Sequence, residues 1–172
     1  MNKILKVFFL FVAMFAMNGF VSAQTVKIAH VNTNELLEEM PERAKAEKEL
    51  EKYYGELQDQ LKTMYTEYQN KLQDYQTNAE TMSNLVKQSK EKELVDLESR
   101  ITAFQSSAET DFDAKRAELL KPLLEKIQTA INTVGKEKGY TYILDLATGA
   151  AVYIGTDAVD VTKDVKAKLG IK

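Results

Sequence analysis

The chain has 172 residues, a formal net charge of −3, a pI near 5.4 and no cysteine. Disulfides, thiolate chemistry and a lipid-modified cysteine are excluded, and the charge is not the polybasic footprint of a nucleic-acid binder. One histidine, His30, cannot build a histidine-based metal site or a catalytic triad within one chain.

Lys3 and Lys6 precede an apolar run from Val7 to Met17, and Val21-Ser22-Ala23 supplies the small residues that a signal peptidase reads. The run is short of the roughly 20 apolar residues that span a bilayer. Residues 1–23 are therefore expected to be a cleaved export signal, with a mature chain starting at Gln24. A cysteine-free exported protein fits a soluble periplasmic location, with membrane association at most peripheral. Loss of the two signal lysines takes the net charge to −5. Leu50 to Asp111 carries twelve acidic and seven basic residues, so the whole excess lies on that stretch.

Val26 to Val31 alternates and is β-branched, and it predicts a strand. Asn32, Thr33 and Asn34 can each cap a helix that opens on Glu35-Leu36-Leu37. Pro41 suits a first helical position, so a new helix is expected from Pro41 or Glu42. From Glu56 to Val134 there is no glycine and a single proline, Pro122. From Leu50 onward Tyr54, Leu61, Tyr68 and Tyr75 repeat every seven residues, beside Leu50, Leu57 and Met64, as the two lines of a coiled-coil seam.

The seam lapses after Tyr75. Thr77-Asn78-Ala79-Glu80 has the form of a capping box, and Ser83 and Asn84 add turn chemistry, so the reversal is expected between Thr77 and Lys87. A second seam runs through Leu94, Leu97, Ile101, Phe104, Ala108 and Phe112. Its last two steps are both four, a stutter that locally unwinds a supercoil. Leu119 to Val134 presents a broader apolar face, suited to burial against a body, and Pro122 inside it predicts a bend. Gly135 and Gly139 end the helix. Strands are expected over Tyr140–Asp145 and Ala150–Ile154, joined as a hairpin at Gly149, before a last helix capped by Asp160 and ended by Gly170.

The fold class that follows is α+β and mostly α: a small β body with a long antiparallel two-helix coiled-coil arm. Residues 24–40 and 135–172 form the body, and 41–134 form the arm with its C-terminal end returning into the body. Three short strands leave open edges and too small a core, so association into a closed ring is expected. Val26, Ile28, Val31, Ile143, Leu144, Val152 and Ile154 are the candidate oligomerisation residues. Tyr53 and Tyr65 flank the seam as candidate partner contacts. No catalytic, metal or cofactor-binding residue is identified, no cofactor is implied, and an enzyme is not expected.

Three stretches together resemble the Skp/OmpH family of periplasmic chaperones. They are Lys27-Ile28-Ala29-His30-Val31-Asn32, the glycine-free double helix, and the tail from Asp145 through Val152-Tyr153 to Asp160-Val161-Thr162-Lys163-Asp164-Val165. The resemblance implies a homotrimer with a β body and three helical tentacles. It also implies an ATP-independent holdase that binds unfolded outer-membrane proteins and prevents their aggregation in transit. The chain departs from the strongly basic best-known members, and no lipopolysaccharide-binding residue is carried over. An adaptor coiled coil of the cell envelope, docking a fixed partner, is the alternative reading.

Overall fold

A computed structural model describes residues 26–171; the expected export signal and Gln24 lie outside them. The chain opens with β1 (Ile28–Val31), followed by α1 (Thr33–Glu39) and α2 (Pro41–Asn78). A tight turn leads into α3 (Asn84–Lys138), and then come β2 (Tyr142–Asp145), β3 (Val159–Asp160) and α4 (Thr162–Leu169).

Local chemistry explains the boundaries. Asn32 caps α1, its Oδ1 accepting from the Glu35 amide at 3.3 Å. Pro41 sits in the first turn of α2, where its missing N–H costs nothing. The reversal falls inside the expected window, but the Thr77 box is not its cap. Thr77 lies within α2, which runs on to Asn78, and Ser83 caps the next helix by accepting from the Val86 amide at 3.4 Å. Gly139 alone ends α3, in the left-handed region at φ 66°; Gly135 remains helical. The N-cap position of α4 is Val161 and not Asp160; Asp160 stands one residue earlier, its Oδ1 accepting from the Thr162 amide at 2.8 Å.

The sheet has the order β2-β1-β3, and both outer strands run parallel to β1. The expected hairpin is therefore incorrect. Ala150–Ile154 is not a strand; the third strand is the two-residue Val159–Asp160. Asp145 accepts from the Ala147 amide at 3.0 Å and starts a 3₁₀ turn over Leu146–Thr148, which Gly149 closes at φ 70°. That turn carries the chain away from β2 before Ala150, so Val152 and Tyr153 find no strand to pair with. An apolar run with β-branched and aromatic residues does not by itself make a strand without a neighbour.

Ala29 and Val31 point to one face of the sheet and join Leu36, Met40, Leu123, Ile127, Ala130, Val134, Val161 and Val165 in one core. The four α3 residues among them step by four, three and four, which places them on one helical face. Each fully buried Leu, Ile or Val there contributes about 1.5–3 kcal/mol. Polar ties lock the periphery. Thr33 Oγ1 donates to Asp145 Oδ2 at 2.6 Å, the Asn32 amide donates to the buried Thr162 hydroxyl at 3.2 Å, and Lys166 reaches Glu35 and Glu39 at 2.5 and 2.8 Å.

Away from the body, α2 and α3 pack on each other in opposite sequence order. Lys126 pairs with Glu42 at 2.8 Å, Lys115 with Glu49 at 2.9 Å, Lys71 with Glu93 at 3.1 Å and Lys90 with Asp74 at 2.6 Å. At 1.5 Å per residue, the 38 residues of α2 reach about 57 Å.

Candidate functional site

The surfaces offered to partners fall into two groups, the outer face of the sheet and the flanks of the long helices. On the sheet, the parallel register sets Ile28 beside Tyr142 and His30 beside Leu144, on the face opposite Ala29 and Val31. Ile28, Tyr142 and Leu144 are exposed there, and Val26 is exposed too; Val159, also exposed, is in register with Ala29 on the other face. Val152 and Tyr153, in the loop before β3, are 101% and 86% exposed, and Ile154 is exposed too.

Two of the seven candidate oligomerisation residues stand elsewhere. Val31, 1% exposed, is consumed by the chain's own core, and Ile143 is half-buried against that core. Strand alternation sends them inward, which a sequence window cannot decide until the register is known. Tyr142 and Tyr153 belong to the exposed group and were not singled out; their aromatic character in a strand and in a polar loop was the available signal.

His30 lies beneath the outer face. Its Nδ1 is 3.9 Å from Asp160 Oδ1 and has no hydrogen-bond partner among the described residues. Burial opposes ionisation of Asp160, but hydrogen bonds from Thr162, with smaller contributions from the neighbouring His30 and Lys163, outweigh it and hold the carboxyl below its usual range.

On the helices the seam has two regimes. Toward the far end Met64, Leu97 and Ile101 are buried, with Leu61, Tyr68 and Phe104 packed against them. Beyond it, toward the turn, polar pairs bridge the two helices. Lys90 holds Asp74 below the usual carboxylate range through its hydrogen bond and charge, and Glu91 accepts from the Tyr75 hydroxyl, raising that phenol. Toward the body the seam is open. A groove of about 290 Å³ is lined by Tyr54, Leu57, Gln58, Leu61, Phe104, Gln105, Ala108, Glu109 and Phe112. Tyr54, expected within the seam, is 50% exposed and meets Phe112 edge-on, with ring centroids 5.5 Å apart.

Of the two flanking tyrosines, Tyr65 is exposed and its hydroxyl accepts from Gln105 Nε2 at 3.1 Å. Tyr53 is half-buried in a separate cleft of about 420 Å³ with Glu49, Glu56, Asp111 and Lys115. The structure does not bring the two rings into one pocket. Among the described residues no group of His, Cys, Asp and Glu has the arrangement to hold a metal ion, and no helix is long and apolar enough to cross a membrane.

Comparison with known proteins adds sequence and fold relatives. Residues 27–169 match the model of the family described as Outer membrane protein (OmpH-like). The Chaperone protein Skp of Photorhabdus laumondii is 30% identical over 148 residues, covering 85% of this chain and 90% of that one. The Skp of Pectobacterium atrosepticum is 27% identical over 139 residues, covering 81% and 82%. The crystal structure of an OmpH-like protein from Caulobacter crescentus CB15 shares the fold at a TM-score of 0.64, with 16% identity and 83% of each chain covered.

Proposed function

Because the chain belongs to the OmpH-like family of outer membrane proteins, we propose that it is an ATP-independent holdase chaperone of the periplasm. It binds unfolded outer-membrane proteins and prevents their aggregation on the way to the outer membrane. The observation that carries this reading is the extent of the likeness: relatives named as Skp chaperones cover 81% and 85% of this chain, and the family match runs over residues 27–169. The chain is made as a precursor with a cleaved export signal over residues 1–23.

In this reading α2 and α3 are an antiparallel coiled-coil tentacle, and three copies associate through their bodies. The exposed apolar surface supplies the interface, with Val26, Ile28, Leu144, Val152 and Ile154 joined by Tyr142 and Tyr153. Val31 and Ile143 support it from within their own chain. Burying such a surface between copies removes apolar area from water and covers the open edges of the sheet. Client holding needs no catalytic group. It rests on many weak apolar and polar contacts along the arm, Tyr53 and Tyr65 among them, each individually reversible.

The test uses the mature protein and a urea-denatured outer-membrane barrel diluted into buffer without ATP. Light scattering is expected to fall as chaperone is added at trimer stoichiometry. Undiminished scattering at excess protein overturns the holdase reading. Tyr53→Ser with Tyr65→Ser is expected to weaken suppression with helicity unchanged, and His30→Ala to leave it intact. Analytical ultracentrifugation decides the assembly: Val152→Asp or Leu144→Asp is expected to yield monomers by placing an unpaired charge in an apolar interface.

A further inference from the structure

The opening of the seam near the body has a local cause in the sequence. Ala108 occupies a seam slot between Phe104 and Phe112, each four residues away, and all three line the groove. A methyl group between two bulky rings cannot fill the space that they hold open. Tyr54, across the groove, meets Phe112 edge-on and stays half in solvent. The result is an aromatic and aliphatic trough in a structure whose neighbouring seam, at Met64, Leu97 and Ile101, is closed.

The charge around that trough is net negative. Residues 50–65 and 100–113 carry six carboxylates against three cations, a net −3. Of the cations, Lys52 is already engaged with Glu56 at 3.6 Å. Glu109 lines the groove, and Asp113 follows it by four residues on the same helical stripe. Neither carboxylate is in an ion pair among the described residues, and the same holds for Glu51, Asp59 and Asp111.

We infer that this groove is a docking site for an extended polypeptide segment that presents a bulky apolar side chain beside lysine or arginine. The inference rests on the holdase reading for its source of unfolded chains and assigns that reading a preferred segment. The apolar side chain fills the space opposite Ala108. The neighbouring cation is drawn to Glu109 and Asp113, and the faces of Tyr54 and Phe112 offer it a further attractive surface. An acidic segment of equal hydrophobicity meets repulsion at the same carboxylates.

Fluorescence anisotropy with three labelled unstructured decapeptides tests this: alternating Lys and Phe, alternating Glu and Phe, and alternating Lys and Ser. The Lys–Phe peptide is expected to bind at least tenfold more tightly than either of the others, and more weakly at 0.3 M salt than at 0.05 M. Ala108→Leu, which fills the trough, is expected to weaken its binding about tenfold with helical circular dichroism unchanged. Equal binding of the Lys–Phe and Glu–Phe peptides overturns the charge assignment, and unchanged binding to Ala108→Leu overturns the groove. Should that variant lose helicity, the double variant Glu109→Lys with Asp113→Lys decides: it must reverse the preference between the Lys–Phe and Glu–Phe peptides. The barrel aggregation assay separates the two readings. Selective peptide binding without holdase activity removes the proposed function and leaves the groove; holdase activity without peptide selectivity does the reverse.

Discussion

The body and the paired long helices are built from the same kinds of side chain, yet they gain stability differently. In the body, ten buried apolar residues from β1, α1, α3, α4 and the connections at Met40 and Val161 meet in one cluster. Each is enclosed on several sides by segments far apart in the chain. Along the helices a cluster of only three buried residues, Met64, Leu97 and Ile101, is enclosed by two helices alone. A stripe between two helices cannot exclude water from its flanks, so charged pairs such as Lys71–Glu93 take the positions that a third element would otherwise cover. The body is therefore the cooperative unit, and the helical pair is free to open locally.

The largest expected effect tests that contrast directly. Ile127→Ala leaves a cavity in the enclosed core and should cost about 2–5 kcal/mol. Urea unfolding followed by circular dichroism should show the loss for the whole molecule. Ile101→Ala in the helical seam should cost less, because solvent and neighbouring side chains reach the vacated space. Hydrogen exchange should then speed up in α2 and α3 and not in β1. Equal losses, with exchange spread over both regions, would erase the distinction.

Glycines sharpen it at the next scale. Gly139 ends α3 at φ 66°, and a side chain there is strained whatever room it has. Gly139→Ala should destabilise the protein by about 1–2 kcal/mol. Gly55 is helical, and nothing lies within 4 Å of an added methyl group. Gly55→Ala should stabilise α2 by about 1 kcal/mol. Thermal melts of the two variants should move in opposite directions.

The smallest effect concerns acid. Hydrogen bonds from Lys90 and Lys126 hold Asp74 and Glu42, respectively, below their ordinary values. A depressed carboxylate contributes stability that is complete above its unfolded value, around pH 4, and fades as pH falls through the lower folded value. Both pairs lie at the surface, so the loss should be slight and sensitive to salt. Helical circular dichroism should stay flat from pH 7 to 5 and decline below about pH 4. Asp74→Asn should flatten part of that decline without altering the response of the body.

Much of this architecture is written locally. The glycine-free run, the heptads through Tyr68 and Met64, and the wider apolar face after Leu119 are properties of neighbouring residues, because a helix closes its hydrogen bonds four residues apart. The helix start at Pro41 and the placement of the turn before Lys87 are legible for the same reason. So was the stutter at Phe104-Ala108-Phe112, although the groove opposite it became visible only when Tyr54 and Leu57 were set across from it.

What the tertiary structure alone decided is pairing. Ala150–Ile154 is as apolar as many strands are, but the turn at Leu146–Gly149 directs it away from β2, and Val159–Asp160 takes the place beside β1. Whether Val31 served the core or a partner likewise depended on which face α3 covered. A strand's partner and its buried face are set by segments about a hundred residues distant, and no window of sequence contains both halves of that contact.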